Sequence, residues 1–191
     1  MAEPVAFGAS FQISTQNANT QDQSALAVLR NGTVAVVWKD VGTASGDIKL
    51  QIVGADGAKQ GGEGTVNQTT TGLQTAPTVA ALSGSGFVIG WTSFANDANG
   101  DVAYAAYREG GINDATVDLG VTTNAGYQQD IAVIGLTGDQ FAIGWNDGNT
   151  ATTGLGSSTA VMLGVFGPGG VIDSLRLSGN WGGRLWPASG L

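Results

Sequence analysis

The side chains best suited to chemistry in this sequence are acidic and amide groups in loops, and one stretch spaces them regularly. In the run NDANGD, Asp97, Asn99 and Asp101 offer oxygen atoms on alternating positions, and Gly100 permits a bend between them. Alternating oxygens of this kind are typical of calcium-binding loops. The distal bidentate Glu of such loops is missing, and a solvated turn is the alternative interpretation. We predict Asp97, Asn99 and Asp101 as the metal ligands if Ca²⁺ binds, and no other cofactor.

Ligand-binding residues are predicted at two further places. Asn146 and Asp147 begin a second polar loop, NDGNTATTGLGSST. Trp181 and Trp186 lie in a Gly-rich tail, NWGGRLWP, where an indole ring can present apolar area together with a hydrogen-bond donor. The other tryptophans each end an apolar run, so we expect them to pack in the core rather than to form a sugar-stacking platform: Trp38, Trp91 and Trp145.

The residue types that are missing exclude several kinds of chemistry. The chain has no histidine and no cysteine, which removes Ser-His-Asp and Cys-His nucleophilic sites, His-ligated metals and disulfides. Two carboxylates can still perform acid/base chemistry, as in glycosidases. No such pair stands out, because the acidic residues stand beside Gly in turns, where Asp is favoured for backbone reasons. We predict that the protein is not an enzyme, with a carboxylate-dependent glycan hydrolase as an alternative.

Charge and hydropathy limit the partners. With 15 acidic and 7 basic residues among 191, the net charge is −8, which disfavours nucleic acid and an anionic membrane surface. No run reaches the roughly 18 apolar residues of a membrane span, so no membrane insertion is expected. The first residues, MAEPVAFGAS, show no Sec signal peptide.

The residues that must position these loops recur at constant spacing. A Leu stands nine residues before each Trp of the apolar runs, and a Gln stands eight residues before each Leu. The three tryptophans are 53 and 54 residues apart, which indicates an internal repeat. We predict a single domain over 1–191, with repeats at approximately 21–73, 74–127 and 128–183 and half-repeat strands at 9–20 and 184–191.

Each repeat predicts four strands separated by turn residues. The first two strands are apolar on nearly every position, so we expect this hairpin to be covered on both faces. The fourth is more polar, as expected of an edge strand. With the half repeats, about fourteen strands and no helix are predicted. The twelve strands of the full repeats are 24–29, 33–38, 48–53 and 64–68, then 77–82, 86–91, 102–107 and 117–121, then 131–136, 140–145, 161–166 and 175–178.

These patterns predict an all-β fold of three tandem repeats of about 53 residues, propeller-like, with a three-sided β-prism as the alternative. The run over 66–107, VNQTTTGLQTAPTVAALSGSGFVIGWTSFANDANGDVAYAAY, resembles repeats of very large bacterial surface and RTX-like calcium-binding adhesins. The resemblance implies a fold and an extracellular setting more than an activity. The chain lacks the GGxGxDxUx nonapeptides of calcium rolls and the S-x-D-x-G-x-T-W boxes of sialidase-type propellers.

The predicted function is a non-catalytic structural or interaction module that presents loops and edge strands in an extracellular surface or virion assembly. Adhesion or self-association would use the terminal strands, which are expected to pair with another copy or with other assembly proteins. The alternative is a carbohydrate-binding, lectin-like domain that binds glycans through the loops after each repeated Trp.

Overall fold

The computed structural model describes residues 10–16, 19–42, 46–84, 86–96, 98–107, 126–148 and 160–167 with their side chains, and the backbone of 115–120 and 170–177. In these residues the protein is all-β, as predicted, with twelve strands and no α-helix. One turn of 3₁₀-helix covers Thr137–Asp139. No described segment forms a helix of the length and apolarity that crossing a membrane requires.

The strands form three antiparallel sheets, each a meander in sequence order. Sheet 1 contains β1 (Gln21–Val28), β2 (Val34–Asp40), β3 (Asp47–Val53) and β4 (Lys59–Thr65). Sheet 2 contains β5 (Gln74–Ala81), β6 (Phe87–Ser93), β7 (Asp101–Tyr107) and β8 (Ala115–Gly120). Sheet 3 contains β9 (Gln128–Gly135), β10 (Phe141–Asp147), β11 (Ala160–Gly167) and β12 (Gly170–Leu177).

The second and third strands of each sheet lie within about two residues of their predicted positions, because apolar runs mark them clearly. The fourth strand of sheet 1 begins earlier than predicted, at 59 rather than 64. Each sheet carries a register shift between its first two strands. Beside each shift a non-glycine residue has positive φ: Gln23 at 54°, Ala76 at 53° and Asp130 at 56°. The first strand therefore bends at the same place in all three sheets.

The three sheets stack in series, with sheet 2 in the middle. Their first strands, β1, β5 and β9, are neighbours, and sheet 2 contacts both sheet 1 and sheet 3. Among the described strands, sheets 1 and 3 make no substantial contact with one another. This series arrangement places both faces of sheet 2 in the interior.

The first core lies between sheets 1 and 2. Sheet 1 contributes small and branched side chains that include Val37, Ile48 and Leu50, and sheet 2 contributes larger ones such as Phe87 and Ile89. The Phe87 ring stacks on Tyr107, with ring centroids 4.6 Å apart. Such pairs stabilise the fold by about 0.5–1.5 kcal/mol beyond the burial of their area.

The second core lies between sheets 2 and 3 and is the more aromatic. Phe141 and Phe166 stack on one another with ring centroids 5.2 Å apart, and Tyr104 of sheet 2 packs against both rings, with centroids 5.2 Å and 5.1 Å away. Burial raises the pKa of the Tyr104 hydroxyl above 10.0, because the surrounding rings cannot solvate a phenolate.

Polar contacts connect the turns of successive sheets at one edge. Arg30 Nη1 donates to the carbonyl oxygen of Ser83, and Ser83 Oγ in turn lies 3.1 Å from Asp139 Oδ1. The backbone N–H of Asp139 donates back to Ser83 Oγ at 2.8 Å. These residues occupy the hairpin between the first and second strands of sheets 1, 2 and 3, so the three hairpins are connected in chain order.

The predicted strand over 9–20 is not a strand in its described part. Residues 10–16 and 19–20 carry no ladder. Instead, the N–H and hydroxyl of Thr15 both donate to Glu63 Oε2, at 2.8 Å and 2.9 Å, which places this segment against β4 through a side chain. The other predicted half-repeat strand, 184–191, lies outside the described residues.

The predicted covering of the first hairpin on both faces is wrong for β1. Its burial alternates, and Leu26 and Val28 are exposed although both are apolar. By contrast, every residue of β6 is buried. The difference arises because β6 has a sheet on each side, whereas β1 has a neighbouring sheet on one side.

Candidate functional site

The repeated tryptophans are core residues, as predicted. Trp38, Trp91 and Trp145 are 4%, 1% and 5% exposed. Across the ladder they pair with Lys49, Ala103 and Met162, at the same register of each sheet. An indole this deeply buried has no free face on which a sugar ring could stack, so a carbohydrate site would need other groups.

The second strand of each sheet continues for two residues beyond the Trp and ends in a buried polar residue. These end residues are Asp40, Ser93 and Asp147. Burying a polar group costs free energy unless the group is hydrogen-bonded. The hydrogen-bond partners of these end residues therefore indicate the role of each residue. We call the region where second strands end and third strands begin the loop edge.

The loop edge of sheet 2 contains a small cleft of about 140 Å³. Hydroxyl, amide and carboxylate groups line it together with short apolar side chains. The lining residues are Thr69, Gln74, Trp91, Ser93, Ala95, Asn96, Asp101 and Ala103. A predicted site residue, Asp101, here shares a concave surface with other polar side chains.

A hydrogen bond between two buried side chains forms the inner end of the cleft. Trp91 Nε1 donates to Gln74 Oε1 at 2.8 Å. The Gln74 amide donates to the carbonyl oxygens of Thr71 and Gly72, at 3.3 Å and 3.4 Å. Gln74 therefore fixes the orientation of the Trp91 indole and also anchors the turn that precedes β5.

The predicted metal ligands Asp101 and Asn99 make hydrogen bonds to different parts of the protein. Asp101 is 2% exposed, and its Oδ2 accepts a hydrogen bond from Asn96 Nδ2 at 3.1 Å. The backbone oxygen of Asn99 accepts one from Gln129 Nε2 at 2.9 Å. Asp97 lies outside the described residues. In the described ranges no three acidic side chains form a group that could hold a metal ion, so calcium binding stays a prediction that depends on Asp97.

The equivalent edge of sheet 3 holds the predicted ligand-binding pair. Asn146 Nδ2 donates to Asp130 Oδ2 at 2.8 Å, and Asp147 Oδ1 accepts from Gln128 Nε2 at 3.2 Å. Neither residue lines the cleft of sheet 2. Trp181 and Trp186 lie outside the described residues, so their binding role stays a prediction.

In sheet 1 the acidic residues of the loop edge close loops. Asp40 Oδ1 accepts from the backbone N–H of Gly42 at 2.9 Å. Asp47 Oδ1 accepts from Asn67 Nδ2 at 2.9 Å, while Asn67 Oδ1 accepts from the N–H of Ile48 at 2.8 Å. Asp40 and Asp47 face one another across the ladder but are both occupied by such bonds. These carboxylates act as backbone and side-chain acceptors.

The indole N–H groups of the three equivalent tryptophans differ in whether they have a hydrogen-bond acceptor. Trp91 Nε1 has its Gln74 acceptor, whereas Trp38 Nε1 and Trp145 Nε1 are buried without a hydrogen-bond partner. In sheet 3 the Gln128 amide is directed to Asp147 instead, and in sheet 1 the Gln21 amide donates to the backbone oxygen of Gln16 at 2.7 Å. Among the three described sheets, the Trp and Gln that lie 17 residues apart are therefore bonded to one another only in the sheet that forms the cleft.

Sequence reasoning missed most of the cleft. In the sequence, Gln74 indicates only the spacing of the pattern, and Thr69, Ser93 and Asn96 indicate no shared site. The constant spacing of Gln and Trp, 17 residues in each copy of the pattern, is the available signal for this pair. No sequence signal distinguished the bonded pair of sheet 2 from the unbonded pairs of sheets 1 and 3.

Comparison with known proteins adds no assignment. No protein-family model matches the chain, and no curated protein matches it in sequence. A function must therefore be argued from the fold and the loop edge.

Proposed function

We propose that the protein is a non-catalytic structural and interaction module of three tandem four-stranded units, which works in an extracellular surface or virion assembly through adhesion or self-association. The observation that carries this proposal is the series stacking of three like sheets through apolar faces, with a face at each end that no other described sheet covers. A protein organised in this way gains stability and function by adding neighbours.

The same observation favours blades of a propeller-like array over a three-sided β-prism. In a prism the three sheets form walls around one axis, so the first and third sheets also meet. Here sheet 2 contacts both others, while the described strands of sheets 1 and 3 make no substantial contact. The adjacency of β1, β5 and β9 is the arrangement expected of inner strands around a propeller axis.

Non-catalytic action is proposed because the described carboxylates serve the fold. Asp40 and Asp47 close loops, Asp147 accepts from an amide, and Asp101 is the single carboxylate that lines the cleft. A glycan hydrolase needs a second carboxylate about 5–10 Å away across the substrate. The partners proposed are therefore other copies or other assembly proteins, rather than nucleic acid or a substrate to be cleaved.

Labelling of intact particles tests the proposed setting. An antibody raised against the chain is applied to whole, unpermeabilised cells of the organism that carries the gene, and to its purified virus particles. Gold label on the cell surface or on particles is expected. An antibody against a cytoplasmic protein serves as the control for leakage. Label that appears only after permeabilisation, and on no particle, would contradict the proposal.

A lectin-like function is the second candidate, and the cleft of sheet 2 favours it. Its hydroxyl, amide and carboxylate groups can form hydrogen bonds with sugar hydroxyls without a stacking ring. A glycan array, run with and without calcium, tests this. Asn96→Ala should abolish binding, since Asn96 lines the cleft. Asn99→Ala, in the same loop but outside the lining, is the matched control, and equal loss in both variants would indicate the predicted calcium loop instead.

A further inference from the structure

The end faces of the stack carry apolar side chains that have no neighbour. Within the described strands, four large apolar residues are more than half exposed: Leu26 and Val28 of β1 at 67% and 64%, Ile134 of β9 at 60% and Val161 of β11 at 51%. Leu26 and Val28 lie on the outer face of sheet 1. Ile134 and Val161 lie on the outer face of sheet 3.

These residues occupy positions that are covered wherever a neighbouring sheet is present. By register, Leu26 corresponds to Val79, which packs against sheet 1, and to Val133, which packs against sheet 2. Val161 corresponds to Ile48 and Val102, which are both fully buried. The exposure therefore arises from a missing neighbour and not from a change in residue type.

The two outer faces are of opposite kinds. The face of sheet 2 that contains Val79 and Ile89 packs on the preceding sheet, and we call the equivalent face of any sheet its leading face. The opposite face of sheet 2, with Val102 and Tyr104, packs on the following sheet and is the trailing face. Both internal interfaces join a trailing face to a leading face. No other described sheet covers the leading face of sheet 1 or the trailing face of sheet 3.

Glycine positions show how the two kinds of face fit. Gly90 lies on the trailing face of sheet 2, where an added Cβ would be 2.9 Å from Val133 Cγ1 and 3.1 Å from Ile131 Cγ2. The absence of a side chain is what lets the leading face of sheet 3 approach. Gly144 is the equivalent residue of sheet 3, and among the described residues a Cβ there would meet only Met162 O, at 3.7 Å. The same recess is present on the open face, without the branched side chain that fills it.

We propose that a second copy of this chain fills that recess, so that the leading face of sheet 1 of one copy packs on the trailing face of sheet 3 of the other. This inference rests on the proposed function and names its partner. Leu26, which corresponds to Val133, is placed over Gly144 in this arrangement. The contact is heterologous, so it either closes a ring or extends as a filament. Two chains of three sheets make six, within the four to eight blades of propellers.

Sedimentation velocity of the full chain over a range of concentrations is the first measurement. A species of at least twice the 19.2 kDa chain mass is expected. Leu26→Glu, Ile134→Glu and Gly144→Val should each reduce the assembly to monomer, because a charge or a branched side chain is placed in the interface. All three positions are open to solvent or unobstructed in the single chain, so the variants keep the fold, which near-ultraviolet circular dichroism verifies. Val41→Glu, at an exposed Val outside both faces, is the matched control and should still assemble.

Mixing two blocked chains tests the direction of the contact. Leu26→Glu keeps its trailing face and Ile134→Glu keeps its leading face, so the mixture should form a 1:1 complex that grows no further, while each variant alone stays monomeric. A wild-type chain that is monomeric at its highest soluble concentration would overturn the proposal. An Ile134→Glu chain that dimerises alone would also overturn it, because the leading face would then pair with itself. If the chain is monomeric but the antibody labels it on the surface of cells or particles, the proposed interface is refuted and the proposed function stands. If the chain assembles but is found only inside the cell, the proposed function is refuted and the interface stands.

Discussion

Replacing Trp91 by Phe is expected to destabilise the protein more than the same replacement of Trp145. Both indoles are buried and end an apolar run at the same register of their sheets. They differ in one bond, since Trp91 Nε1 donates to Gln74 Oε1 at 2.8 Å and Trp145 Nε1 has no partner. The pair of variants therefore separates the contribution of the hydrogen bond from that of ring size.

The magnitude follows from what each substitution leaves behind. Trp91→Phe leaves Gln74 Oε1 buried without its donor, and an unsatisfied buried group costs about 1–3 kcal/mol. Trp145→Phe removes a donor that is already unpaired, which relieves a penalty of the same order, while the lost ring volume is common to both. The two effects add when the variants are compared, so we expect the free energy of unfolding to fall about 2–6 kcal/mol further for Trp91→Phe, a difference of about 30-fold or more in the unfolding equilibrium constant.

Urea titration followed by far-ultraviolet circular dichroism measures these free energies without relying on the altered fluorescence. Gln74→Met, alone and combined with Trp91→Phe, completes a double-mutant cycle. The double variant should lose less than the sum of the single losses, because both polar partners are then apolar. Equal losses for Trp91→Phe and Trp145→Phe, or an additive cycle, would refute the reasoning.

Three further predictions concern single sites, and all are measured by thermal or urea unfolding in a Leu26→Glu background to remove any effect of assembly. Gly90→Ala should lower the free energy of unfolding by about 1–3 kcal/mol, because the added Cβ would clash with Val133. Gly144→Ala should leave the free energy of unfolding unchanged, because no described side chain crowds that position. Equal losses in the two variants would contradict this prediction. Ala76→Gly should raise the stability by up to about 1 kcal/mol, since Ala76 holds a φ of 53°, and a loss would count against strain there. Burial raises the pKa of Tyr104, so the folded state resists its ionisation: stability is unaffected below pH 10.0 and falls as the pH rises above that value. Tyr104→Phe should weaken that alkaline decline, and an unchanged slope would contradict the assignment.

Much of the fold could be predicted from the sequence because local patterns determine it. Apolar runs predict the second and third strands of each sheet to within about two residues, and the same runs predict that the tryptophans are buried. The position of each sheet in the stack could not be predicted. Leu26 and Val79 stand in similar apolar runs, yet one is exposed and the other packed, because only the order of the sheets decides which faces are covered.

The candidate site was predictable only in part. Asp101 was singled out as a calcium ligand on the spacing of its oxygens, and the structure places it in a cleft wall bonded to Asn96. The cleft depends on contacts between residues far apart in sequence, such as Gln74 with Trp91, which a spacing argument cannot assign. The predicted strand over 9–20 failed for a similar reason, since Thr15 is held by the carboxylate of Glu63 and not by a ladder.

The series order of the sheets has a consequence for folding. Because the described strands of each sheet make substantial contact only with an adjacent sheet, the free energy of the three sheets is approximately a sum of sheet and nearest-neighbour interface terms, as in a one-dimensional Ising chain. Sheet 2 takes part in both interfaces and each end sheet in one, so opening by thermal fluctuation begins at the ends and reaches sheet 2 last. Among the described strands, a destabilising substitution in sheet 1 affects the stability of sheet 3 only through the packing of sheet 2. A partner that covers an end face slows the unfolding that begins at that end.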